Sequence, residues 1–325
     1  MNVTVLGGLG YIGSHLIGLL GQENIKVKVL DLELFGFSHI SHLLEKENIE
    51  YQQGDIRNAS DLAAVIKKSV CVIHLAGLVG DPVCSIDEDE TWLHNMESSE
   101  LIVDICNYYN VQKLIYSSSC SVYGASPIDM TLNEGSYLNP VSLYAKTKID
   151  SEKLFLQKFK NSITILRLAT AFGWSPRMRF DLAVNIFTIK AIRDKQIEIF
   201  GGKQFRPFLH CYDAARAFYH IYKWKKLEKI NGEVFNVSAE NISIKKLGEL
   251  VGNIFPDIKL VITDKKEDER NYQVDQNKIE WLLGFKPDYD LVSGINNMAE
   301  MIFKKQYNDW KENIKYYNYK VGCTL

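Results

Sequence analysis

Tyr144 and Lys148 stand four residues apart in the run Tyr144-Ala145-Lys146-Thr147-Lys148. On a helix this spacing puts both side chains on one face, one turn apart. A free phenol titrates near pH 10. A neighbouring ammonium favours the phenolate and is expected to pull Tyr144 toward neutrality, where it becomes a usable base. Ser117-Ser118-Ser119 closes a strand-like run upstream. From there Ser119 can hydrogen-bond the hydroxyl that Tyr144 deprotonates. The three residues together suit proton removal from an alcohol under oxidation.

Oxidation needs a hydride acceptor, and the glycines supply a place for one. Gly7-Gly8-Leu9-Gly10-Tyr11-Ile12-Gly13 follows the first apolar run and opens an amphipathic stretch. It fits G-x-G-x-x-G through Gly8, Gly10 and Gly13, and G-x-x-G-x-x-G through Gly7, Gly10 and Gly13. Glycine lets the backbone approach a pyrophosphate, and a helix N-terminus adds N–H donors and a positive dipole end. Asp31 ends the second strand-like run, where a carboxylate accepts from the adenosine ribose and repels a 2′-phosphate. NAD is therefore expected rather than NADP. Gly54-Asp55-Ile56 sits at the same edge, so Asp55 and Ile56 are expected to meet the adenine.

The elements that must position these groups alternate. Val3–Leu6, Lys26–Leu30, Ile49–Gln52, Val70–Leu75, Lys113–Ser117 and Ile163–Leu168 read as strands, rich in Val, Ile and Leu with little polar alternation. Strands buried on both faces of a parallel sheet look like this. Tyr11–Leu20, Ser60–Lys67, Thr91–Tyr108 and Ser142–Phe159 read as the helices between them. The order predicts a doubly wound α/β fold with right-handed crossovers. Residues 1–170 are expected to form the dinucleotide-binding domain, with later returns near 208–224 and 233–238. Residues 171–207 and 239–325 are expected to form a smaller, interlaced substrate-binding domain. There, Ala171–Arg179 reads as a loop, Leu182–Arg193 as a helix, Glu198–Phe200 as a strand, and Ser243–Phe255 and Asn277–Leu283 as helices.

Composition excludes several classes. The chain has 325 residues, 46% apolar and 24% charged, with a formal net charge of −2. That is a globular profile with no footprint for nucleic acid or an anionic membrane. No apolar run approaches the roughly 20 residues of a membrane span. Met1–Leu6 runs straight into a strand pattern without a basic n-region, so a cytoplasmic protein is expected rather than a secreted one. Six scattered cysteines form no C-x-x-C pair, and His39 and His42 lack a third ligand at suitable spacing, so no metal is expected.

Read in order, the motifs resemble those of the extended short-chain dehydrogenase/reductases, in their nucleotide-sugar epimerase/dehydratase group, of the UDP-glucose 4-epimerase type. They are GGLGYIG at Gly7–Gly13, GDIR at Gly54–Arg57, HLAG at His74–Gly77, YSSSCSVYG at Tyr116–Gly124, YAKTK at Tyr144–Lys148, RPFLHCYD at Arg206–Asp213 and LGFKP at Leu283–Pro287. The resemblance implies that Tyr144 takes a proton from a sugar hydroxyl, that Lys148 holds the nicotinamide ribose, and that Ser119 bonds the reacting oxygen. It implies cofactor contacts from Gly7, Gly10, Tyr11, Ile12, Gly13, Leu75, Ala76, Gly77, Asn95 and Ser117. It implies substrate contacts from Val79, Thr170 and Arg179, and a diphosphate grip from Asn185, Arg206 and Arg270. Arg177 and Arg179 either add to the phosphate site or solvate a loop. The stretches Leu78–Cys84 and Arg167–Asp181 resemble a subgroup from surface-polysaccharide pathways that includes GDP-heptose dehydrogenases. The expected activity is NAD-dependent oxidation at C4 of a nucleoside-diphosphate sugar, ending in a 4-epimer. Net 4-dehydrogenation or keto-reduction is the alternative, and a non-catalytic NAD sensor is a third reading. A homodimer through the Thr91–Tyr108 and Ser142–Phe159 helices is also expected.

Overall fold

The structure is a computed structural model that describes residues 2–23, 25–127, 130–263 and 270–321. Most of the charge run Lys265–Arg270, and Cys323, lie outside the described residues.

The strands used here, in chain order, are β1 (Asn2–Leu6), β2 (Lys26–Asp31), β3 (Ile49–Gln53), β4 (Ser69–His74), β5 (Lys113–Ser119), β6 (Ser162–Leu168), β7 (Thr170–Phe172), β8 (Gln196–Phe200), β9 (Phe205–His210), β10 (Glu233–Val237), β11 (Glu240–Ser243) and β12 (Lys259–Thr263). The main helices are α1 (Gly13–Leu20), α2 (Ala59–Ile66), α3 (Ser98–Tyr108), α4 (Leu143–Lys158), α5 (Ala183–Arg193), α6 (Cys211–Lys223), α7 (Ile244–Ile254) and α8 (Leu291–Lys305).

Seven strands form one parallel sheet in the order β10-β6-β5-β4-β1-β2-β3. Val3, Val5 and Leu6 of β1 are fully buried, as expected for β-branched and apolar residues with helices on both sheet faces. The one polar residue among them, Thr4, donates to the Val65 carbonyl (2.8 Å) and meets Ser69 Oγ at 2.6 Å. Leu16, Ile17 and Leu20 of α1 pack with Ala214 and Phe218 of α6 on one face. Leu62 and Ile66 of α2, Ile102 of α3 and Phe155 of α4 cover the other. The strand order reverses between β1 and β4, which opens a crevice at their carboxyl ends.

A second core gathers Phe172, Phe180, Val184, Phe187, Ile199, Phe208 and Leu247 with Ile295 and Met298 of α8. Two small sheets serve it, β11-β9-β7 and β12-β8. Several elements here depart from the sequence expectation. Thr170–Phe172, at the head of the expected loop, is a strand because it pairs in parallel with Phe208–His210. β9 itself holds Pro207 and was masked by its motif-like composition. α8 was not expected at all, although Asp290 and Ser293 form a capping box at its start. The expected Thr91–Tyr108 helix is interrupted by a wide turn at Leu93–Glu97, a feature frequent at functional sites.

Candidate active site

A cavity lies at the carboxyl ends of the sheet strands, between the two cores. Its wall takes residues from the ends of β1, β2, β4, β5 and β6 and from the segments carrying Arg177, Arg179 and Arg270.

The glycine loop shapes one end. Gly7 has φ +82°, and a Cβ there would lie 2.6 Å from the Ala76 nitrogen. A Cβ on Gly13 would run into the Gly7 carbonyl oxygen. The α1 N-terminus has no side-chain cap, since Ile12 precedes it. One first-turn N–H is taken, Ser14 N donating to the Gly10 carbonyl (3.0 Å), and no side chain caps the others. This is a cradle for a pyrophosphate, and it fits a dinucleotide. Gly7, Gly10, Tyr11, Ile12 and Gly13 all line the cavity, with Leu75, Ala76 and Gly77 across from them. Asp31 lies beside the loop. Its Oδ2 accepts from Leu9 N (2.9 Å) and its Oδ1 from Glu33 N (3.0 Å). Burial pushes its carboxyl up from the ordinary range, against the pull of those two N–H groups. Each oxygen keeps a further lone pair for a ribose hydroxyl. Asp55 and Ile56 also line the wall, and Arg57 forks onto the Asp55 carboxylate (2.7–3.1 Å).

Ser117, Ser119, Tyr144 and Lys148 line the same cavity. Ser142 caps α4 by accepting from Ala145 N (3.2 Å), which places Tyr144 in the first turn. Ser119 lies near enough to the Tyr144 hydroxyl to favour its ionisation. Ser119 Oγ accepts from Ser121 N (3.1 Å) and Ser121 Oγ (2.9 Å). Lys148 Nζ donates to the Ser117 carbonyl (2.9 Å) and lies 5.7 Å from the centre of the Tyr144 ring. One electrostatic expectation is corrected. Burial pushes the Tyr144 phenol well up, reinforced by Cys84 and Asp81, while Ser119 and Arg179 only partly oppose it. The physical reason is desolvation, which disfavours the phenolate. The same burial pushes Lys148 down to about 8.

Three expected contacts lie behind the wall rather than on it. Asn95 sits in the wide turn before α3. Its Oδ1 accepts from Leu78 N (2.8 Å) and its Nδ2 donates to the Leu78 carbonyl (3.0 Å). It therefore shapes the Gly77–Leu78 loop, where Gly77 (φ +144°) leaves room for the Asn95 oxygen. Asn185 is fully buried. Its Oδ1 accepts from Gly173 N (2.9 Å), and its Nδ2 donates to Tyr11 Oη (2.9 Å) and the Arg179 carbonyl (2.8 Å). With its amide engaged, it braces the cavity and has no free donor for a diphosphate. Arg206 is buried under Tyr272 and donates to the Phe205 (2.8 Å) and Arg270 carbonyls. Val79, Thr170, Arg179 and Arg270 do line the cavity. Arg179 pairs with Asp181 (2.8 Å), and Arg270 with Asp81 (2.8 Å). Asp81 in turn accepts from Ser142 Oγ (2.7 Å) at the start of α4.

Phe35, His94, Tyr272 and Asn318 also line the wall and were not anticipated. Phe35 is four residues past Asp31, a spacing that could have flagged it. Asn318 carries no sequence signal, since only the folding of the C-terminal segment brings it there. Cys120 is fully buried with its thiol against the Arg167 carbonyl (3.2 Å), and burial pushes its pKa far up. Among the described residues no cluster of His, Cys, Asp and Glu could hold a metal, and no helix is long and apolar enough to cross a membrane.

A family model described as the NAD dependent epimerase/dehydratase family matches residues 3–238. An uncharacterized UDP-glucose epimerase of Bacillus subtilis (strain 168) is 28% identical over 313 residues, 91% of this chain and 96% of the relative. A solved UDP-glucuronic acid 4-epimerase from Bacillus cereus, in complex with UDP-glucuronic acid and NAD, is 26% identical. It superposes with a TM-score of 0.82 over 94% of this chain and 100% of its own. A UDP-N-acetylglucosamine 4-epimerase from Methanobrevibacter ruminantium M1, in complex with UDP-N-acetylmuramic acid, is 27% identical. Its TM-score is 0.83, over 94% of this chain and 98% of its own.

Proposed function

Because this chain belongs to the NAD dependent epimerase/dehydratase family, we propose that it is a nucleotide-sugar 4-epimerase. The observation that carries the reading is that Ser119, Tyr144 and Lys148 line one cavity together with the glycine cradle and with Arg179 and Arg270. When bound, NAD supplies the hydride acceptor and donor. Tyr144 takes the proton of the sugar 4-hydroxyl and returns it after the keto sugar has turned. Ser119 holds the same oxygen. Lys148 holds the nicotinamide ribose and, as a cation, favours the phenolate that burial alone disfavours. Arg179 and Arg270 suit the substrate diphosphate because a guanidinium fork binds phosphate bidentately. Each would exchange its present carboxylate partner for the ligand. The 4-epimerases among the relatives and solved structures support this outcome.

Water elimination, the reaction named for a human relative (a dTDP-D-glucose 4,6-dehydratase, 24% identical), needs an acid to protonate a departing hydroxyl. Among the described residues of the wall, the carboxylates are Asp31 and Asp55 at the adenosine end. The nearby Asp81 is paired with Arg270 (2.8 Å) and accepts from Ser142 Oγ (2.7 Å), rather than standing free as an acid. Cys120 and Ser121 follow Ser119, and neither is a ready substitute for a carboxylic acid. We place the product in surface-polysaccharide precursor synthesis, on the resemblance of the Arg167–Asp181 stretch, and the enzyme in the cytoplasm. The test is incubation with UDP-, GDP-, CDP- and dTDP-sugars, following product mass and 340 nm absorbance together. An epimer of unchanged mass without net NADH supports the reading. Loss of two hydrogens with NADH favours 4-dehydrogenation, and loss of one water overturns it.

A further inference from the structure

Arg177 belongs to the segment after β7, yet it points back across the cavity toward the dinucleotide end. The segment is bolted to the glycine loop: Ser175 Oγ donates to the Tyr11 carbonyl (2.7 Å) and meets Ser14 Oγ at 3.0 Å. The Tyr11 hydroxyl donates to the Gly173 carbonyl, and a His15 ring nitrogen meets the Trp174 carbonyl at 3.0 Å. Two residues past Ser175, the Arg177 guanidinium lies 3.6 Å over the Phe35 ring, and Nη2 donates to Asn318 Oδ1 (2.6 Å). Arg177 is only 4% exposed, lines the cavity, and leaves Nε without a hydrogen-bond partner among the described residues. It makes no ion pair among those residues. Its neighbour Arg179 occupies Asp181, and the Asp31 oxygens accept from backbone N–H groups.

A buried cation with an unused donor is costly unless an anion completes it. Burial and Arg179 pull its pKa down to about 9, against Asp181, Tyr11 and Asp31. Its ring partner Phe35 follows Asp31 in the chain, and Ser175 beside it is bonded to Tyr11. Asp31 marks the adenosine ribose and Tyr11 the pyrophosphate cradle. The group that joins them in a dinucleotide is the adenosine 5′-phosphate. We propose that Arg177 is a cofactor-binding residue that grips the adenosine-side phosphate of NAD, anchored by Asn318 of the C-terminal segment. The proposal rests on NAD occupying the glycine cradle. It gives adjacent arginines different ligands, Arg177 the cofactor and Arg179 the substrate, and makes cofactor retention depend on the C-terminal segment.

The test is calorimetric titration of NAD-stripped protein with NAD, 5′-AMP, 2′-AMP and adenosine, and of NAD-loaded protein with UDP and GDP. A charge-assisted hydrogen bond predicts that Arg177→Met weakens NAD and 5′-AMP about tenfold or more. Adenosine and the nucleoside diphosphate should be unaffected. Arg177→Lys should recover part of the preference for 5′-AMP over adenosine. Asn318→Ala, which removes the anchor but keeps the charge, should lower that preference a few-fold and serves if Arg177→Met does not fold. Wild-type protein that binds no NAD overturns the cofactor reading and this proposal together. Wild-type protein that binds NAD no better than Arg177→Met overturns the proposal alone. So does a loss confined to 2′-AMP, to the nucleoside diphosphate, or shared equally by adenosine.

Discussion

Tyr144 joins the chemistry to an unfavourable ionisation. Ser119 favours its ionisation, yet burial holds the proton on. Tyr144→Phe keeps the ring packed and removes the acceptor. Turnover should fall about 10²–10⁴-fold while NAD binding measured by titration stays unchanged, and activity within twofold of wild type would contradict the role. Asp31→Ala should weaken NAD and narrow its advantage over NADP, because the carboxylate supplies both ribose bonds and repulsion. Unchanged relative affinities would reduce Asp31 to a turn residue. Tyr144, Lys148, Ser119 and the glycines were legible because local spacing brings their chemistry together. Asn185 and Arg206 were misread for the opposite reason. Their direction is set by distant segments, Tyr11 for one and the Arg270 carbonyl for the other, which no local pattern encodes.

Helix α4 is the element on which the site is mounted. Ser142 caps its start, and Asp81 holds Ser142 while pairing with Arg270 across the cavity mouth. Further along, Glu152 takes Arg167 of β6 (2.7 Å) with both side chains buried, and accepts from Ser118 of β5. This pair ties α4 to two strands directly beneath Ser119. Removing one partner of such a pair leaves an uncompensated buried charge, typically costing about 3–5 kcal/mol. Glu152→Ala should lower urea-unfolding stability by that order, and a loss under about 1 kcal/mol would show that the network is slack. The early strands and α1 were readable because continuous Val, Ile and Leu runs alternate with amphipathic ones. β12 was not, since its Leu260 and Ile262 are exposed and it gains its form from pairing with β8. The break at Leu93–Glu97 was also missed, because the stretch is too short to show the roughly 100° phase shift that one extra residue gives the apolar pattern.

At the scale of the whole molecule, two cores close around one cavity, and buried histidines link that packing to pH. Burial holds His15 at about 4 and His74 and His210 at about 3. Unfolded, each takes up a proton near 6.5. Between those values the unfolded chain binds more protons, so stability rises with pH. Their contribution is complete above about 6.5 and is lost as pH falls toward 3–4. Melting temperature should drop clearly from pH 7.5 to 5.0, and a flat profile would contradict neutral burial. We further propose that the molecule pairs through α3 and α4, which leave Tyr108, Leu156 and the preceding Trp92 exposed. Ile102 and Phe155 of the same helices are fully buried in the core. Sedimentation should give twice the chain mass, and a monomer at micromolar concentration would refute the pairing. The doubly wound fold could be read from alternation alone, but the cavity wall could not, because it is assembled from segments more than 300 residues apart, Gly7 to Asn318. The central claim is reversible oxidation at C4 without water loss. It is tested most directly with a nucleotide sugar deuterated at C4, chosen from the panel members that turn over, with the product followed by mass and NMR. The account predicts a C4 epimer of unchanged mass with the deuterium still on C4. A product lighter by one water, or deuterium lost from C4, would contradict it.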